Sequence, residues 1–178
     1  MTRLRPASIL SFALTAALAG ALASTTACTS DAPRAVVEGE DLCAECHMGI
    51  ADLRFAAQAR TSTGKVLLFD SIECLADYLA ASDSTAVASL HVTDYRAPGT
   101  WLPAASAQFV LDGRIASPMG RSLAAFAANA SPAALVAEHG GRVVTWDEVR
   151  ALVATGRVTS PHAQAHADAH AHAHAHAP

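Results

Sequence analysis

Aromatic residues are scarce in this chain, at 5% of 178 positions, and no basic stripe runs through it; the formal net charge is −4. The first scarcity keeps the core small. The second removes the electrostatic footprint that nucleic-acid binding needs, so no nucleic-acid partner is expected. An apolar share of 52% does not offset the missing aromatics, because much of it is alanine, which buries little area per residue. Catalytic signatures are missing as well: there is no nucleophile elbow, no phosphate loop and no HExxH helix. Nor is there a second Cys-x-x-Cys to complete a four-cysteine zinc site. These absences favour a non-enzymatic binding protein.

The longest apolar run, residues 9–22, is shorter than the ~20 residues that span a bilayer. It follows Arg3 and Arg5 and precedes small residues, which is the order of a secretory signal. Ala21-Leu22-Ala23 offers an ordinary cleavage site. Thr25-Thr26-Ala27-Cys28 offers a lipobox, and a cysteine directly after a signal is explained by lipidation. We take residues 1–27 as the signal peptide and Cys28 as the lipidated anchor. The chain is then exported to the periplasmic side and held at a membrane, outer or inner. Residues 28–40 are polar and read as a tether.

Residues 55–61 and 66–69 read as a hairpin around Thr63-Gly64. Asp70-Ser71 supplies cap chemistry for a helix over 72–81, in which Ile72, Leu75, Ala76 and Leu79 share a face. Residues 90–95 alternate as a strand, so the first half, 41–98, reads β-β-α-β. The second half, 99–156, has extended segments at 101–103, 108–111 and 122–126. Ser131-Pro132 starts a helix that Gly140-Gly141 ends. A strand over 142–146 and a helix over 147–153 complete an α+β chain of two similar halves. Residues 157–178 are low-complexity, with histidines alternating mostly with alanine, and cannot bury a core. Their imidazoles suit Cu(II), Zn or Ni, as a metal scavenger or incidentally.

The chemistry concentrates at Cys43-Ala44-Glu45-Cys46-His47-Met48, which sets two thiols, an imidazole and a thioether within six residues. Thiolate and thioether sulfur are soft donors and select Cu(I). Met119, held between Pro118 and Gly120, is a further sulfur that could reach the ion from the second half. A structural zinc site would need Cys74 or a histidine to complete it. A thioredoxin-like pair lacks its usual strand-to-helix context. A Cys43–Cys46 disulfide would close too small a loop to stabilise much. Cys74 reads as a small buried hydrophobe, and Asp70, Glu73, Asp77 and Asp94 as capping or solvated groups.

The metal motif, Phe69-Asp70-Ser71 with its helix, Val92-Thr93-Asp94-Tyr95 with Trp101, and Phe109-Val110 through Ser117-Pro118-Met119-Gly120 together resemble the NosL family of exported copper chaperones. The similarity covers about residues 42–149. It implies two ββαβ-type halves and one Cu(I) per chain, delivered to nitrous oxide reductase or its maturation complex. Cys46 and Met48 match the family's metal motif, and Met119 its second-half methionine. Cys43 fits the spacing, and His47 is a further candidate.

Overall fold

The computed structural model describes residues 32–82 and 86–156. The expected signal peptide, Cys28 and the histidine-rich tail lie outside them. Two β-hairpins, each followed by a helix and a returning strand, organise the described chain. In the first unit β1 (Ala57–Thr61) pairs antiparallel with β2 (Val66–Phe69), and α1 (Ile72–Ala81) leads to β3 (Val87–Asp94). Gly64, at φ 87°, makes the turn that the Thr-Gly pair announces. The second unit repeats the plan with β5 (Gln108–Leu111), β6 (Ala124–Phe126), α2 (Pro132–His139) and β7 (Arg142–Val144).

In both units the first strand is central, flanked by its hairpin partner and by the strand after the helix: β2-β1-β3 and β6-β5-β7. The two ββαβ halves are therefore a structural repeat. Two elements stand outside it. β4 (Ala97–Pro103) adds a fourth strand to the first sheet, beside β3, so the first sheet runs past the 98/99 boundary drawn from the sequence. α3 (Trp146–Ala154) follows β7 and packs against α1.

Caps explain where the helices start. Ser71 Oγ accepts the Cys74 N–H at 3.1 Å, and Ser131 with Pro132 opens α2. Thr145 and Glu148 form a reciprocal capping box on α3. One apolar cluster joins the halves: Phe69, Leu75 and Leu79 share it with Phe109, Leu111, Val144 and Val149. The Tyr95 N–H also donates to the Ala125 carbonyl at 2.9 Å, linking the end of β3 to β6. Part of the segment read as tether is fastened to this body. The Arg34 N–H donates to Gln58 Oε1 at 3.0 Å, its guanidinium pairs with Asp41, and Val36 packs on the cluster of Ile50, Ala56 and Leu68.

Candidate metal centre

The cysteine motif folds as a tight loop closed by a bridge between Leu42 and Gly49. The Cys43 N–H donates to the Met48 carbonyl at 2.8 Å, and the His47 N–H donates to the Cys43 carbonyl at 3.1 Å. The Ala44 N–H reaches the Leu68 carbonyl at 2.8 Å and pins the loop to β2. His47 takes a left-handed backbone, φ 62°, where a side chain is strained. Backbone N–H groups of this loop and of the β2–α1 junction point at sulfur. Those of Cys46 and Asp70 face Cys43 Sγ, and that of Met48 faces Cys46 Sγ.

The loop meets the start of α1. Cys43, Cys46, Asp70 and Cys74 present ligand atoms that all lie within 4.8 Å of one another. Cys43, Asp70 and Cys74 are buried, and Cys46 is half-buried. The Cys74 thiol hydrogen-bonds Cys43 and holds it down to about 7, while the same contact and burial push Cys74 up. Burial pushes Cys46 up to about 12. The group thus carries one easily formed thiolate, and a metal ion must displace the remaining thiol protons.

The sequence-derived ligands divide. Cys43 and Cys46 are brought together. Met48 is 40% exposed and His47 is exposed, both on the outer side of the loop. Met119 is buried in the same apolar cluster as Cys43 and Cys74. A polar latch fixes its turn: Ser117 Oγ donates to Glu73 Oε1 at 2.5 Å and accepts the N–H groups of Arg121 and Ser122. Because Glu73 precedes Cys74 on α1, the latch ties the Met119 turn to the helix that bears a thiol.

One expectation needs correction. Asp70, Glu73 and Asp77 are buried rather than solvated: α1 is enclosed nearly all round over its first two turns, and Asp70, just before it, is covered with Cys43, Cys46 and Cys74 around it. Cys74 is the buried small residue expected, but its sulfur also faces the other two. The signal that could have found it is its place four residues after Asp70, at the first turn of a helix that the hairpin delivers beside the loop.

No curated protein matches the chain. The crystal structure of the copper chaperone NosL from Shewanella denitrificans matches it with a TM-score of 0.57 at 22% identity, over 65% of this chain and 94% of that one. At that identity the likeness speaks for the fold. The NosL family model matches residues 34–154, which take in both repeats, the cysteine loop and the Met119 turn, and the chain therefore belongs to the NosL family.

Proposed function

We propose that this protein is an exported, lipid-anchored carrier that holds one Cu(I) and delivers it to a cuproenzyme, nitrous oxide reductase or its maturation complex. The observation that carries the reading is a half-buried Cys46 thiol, set beside a second thiol on a loop whose outer side offers Met48. In this reading Cys46 is the principal ligand, Met48 and Met119 supply thioether sulfur, and Cys43 and His47 are auxiliary. Soft, low-coordinate ligation suits Cu(I), and an accessible sulfur lets an acceptor's donor attach before the first ligands leave. The carrier is held at a membrane on the periplasmic side through Cys28. No chemical step beyond ligand exchange is required of it.

Titration of the reduced chain with Cu(I) against a competing chelator tests the reading. One tightly bound ion, lost in Cys46→Ser and weakened in Met119→Ala, is expected. Full stoichiometric binding by a folded Cys46→Ser chain would refute it. A thiol-disulfide role is disfavoured by Cys43, whose lowered thiol is only 1% exposed, since disulfide exchange needs an accessible thiolate.

A further inference from the structure

Glu73 and Ser117 form a buried polar pair that packing alone does not require. Glu73 is wholly buried, its Oε1 accepts the Ser117 hydroxyl at 2.5 Å, and its Oε2 has no partner among the described residues. For stability, an apolar pair of similar volume would often serve as well or better than a buried carboxylate. A buried polar contact fixes geometry instead, because its partners and directions are specified.

The geometry it fixes is that of one turn. The Ser117 carbonyl accepts the Gly120 N–H at 3.0 Å, and Ser117 Oγ accepts those of Arg121 and Ser122 at 3.2 and 3.0 Å. These bonds close the backbone around Met119, and Gly120 and Ser122 complete the turn in left-handed backbone, φ 72° and 54°. Met119 enters the apolar cluster that holds Cys43 and Cys74 and against which Cys46 packs. Methionine is unbranched with three rotatable side-chain bonds, so its sulfur is placed only as well as its backbone is. The far end of the latch is Glu73, whose helix neighbour Cys74 hydrogen-bonds Cys43. We infer that Glu73 and Ser117 are positioning residues for the copper site: their bond sets the Met119 thioether against the cysteine loop, so that the second repeat contributes to a site the first repeat carries. The inference rests on the carrier reading, in which Met119 ligates Cu(I). Both residues act through Met119, and neither contacts the ion. Losing a hydrogen bond that orients a ligand costs about 10–100-fold in metal affinity.

The test is a double-mutant cycle in Cu(I) affinity, measured against a competing chelator on the full reduced chain in detergent, without oxygen. Ser117→Ala alone should weaken binding at least about tenfold. In a Met119→Ala chain, already weakened, Ser117→Ala should change nothing further. A merely structural role would lower affinity in both backgrounds. Ser117→Thr, which keeps the hydroxyl, and Glu73→Gln, which keeps an acceptor, should retain the original affinity. Circular dichroism checks the fold of each variant. If Ser117→Ala does not fold, Glu73→Leu takes its place in the cycle, since exchanging a buried charge for an apolar side chain of similar volume is often neutral for folding. A folded latch variant with full affinity, beside a weakened Met119→Ala, overturns the inference and leaves the carrier reading standing. Equal losses with and without Met119 overturn it as well. Full affinity in Met119→Ala removes Met119 from the ligand set and this inference with it, while Cys46→Ser still decides the carrier reading.

Discussion

Ser117→Ala removes the latch between the Met119 turn and α1, and its effect can be worked out from the contacts. Ser117 Oγ donates to a Glu73 carboxylate that is wholly buried and whose Oε2 has no partner among the described residues. A hydrogen bond to a charged group contributes about 1.5–3 kcal/mol. The Arg121 and Ser122 N–H groups lose an acceptor as well, so the total loss should be about 2–4 kcal/mol. Glu73 also sets a pH dependence. Burial pushes its carboxyl from an ordinary 4.5 up to about 6. A raised carboxyl binds its proton more tightly when folded, so its stabilising contribution is complete below about 4.5. That contribution is lost as pH rises through about 6, a change of about 2 kcal/mol. Urea unfolding of metal-free chain, followed by fluorescence of Trp101 and Trp146, should show this decline between pH 4 and 7, about the interval the shift spans. Glu73→Gln should flatten it, and Ser117→Ala should steepen it by removing the bond that holds Glu73 down. A loss under about 0.5 kcal/mol in Ser117→Ala, within the range of an ordinary surface change, would refute the latch.

Other outcomes follow from single contacts. His47→Gly should stabilise the chain by about 1 kcal/mol in thermal or urea unfolding, by relieving the left-handed backbone. Unchanged Cu(I) affinity in that variant would remove His47 from the ligand set. Gly141→Ala should prevent folding or cost more than about 3 kcal/mol, since its Cβ would stand 2.2 Å from the Leu111 carbonyl oxygen at a φ of 66°. Circular dichroism checks it. Thr145→Ala should cost about 1 kcal/mol through the capping box of α3, read as a lowered urea midpoint. Deleting residues 157–178 should leave one Cu(I) per chain bound with unchanged affinity against the chelator.

Local chemistry made much of this fold legible. Ser71, Ser131-Pro132 and Gly140-Gly141 mark helix ends wherever they occur, because capping involves only neighbouring backbone. Strands β2 and β5 and helix α1 fall where short apolar runs and helical spacing place them. β3 begins at Val87 rather than Leu90, since its pairing with β1 continues beyond the alternating stretch. β4 was visible only at Trp101–Pro103; its earlier part contains Pro98 and Gly99, residues depleted in strands, and edge position beside β3 makes them tolerable.

The metal site divides along the same line. The sequence by itself determined that thiols, an imidazole and a thioether gather in one loop, because their spacing is covalent. It could not determine that Cys74 and Asp70 join them, or that Met48 faces outward while Met119 is buried. Those facts depend on where α1 docks against the loop and on the buried Glu73–Ser117 bond. Both are long-range contacts between segments whose sequences carry no mark of each other.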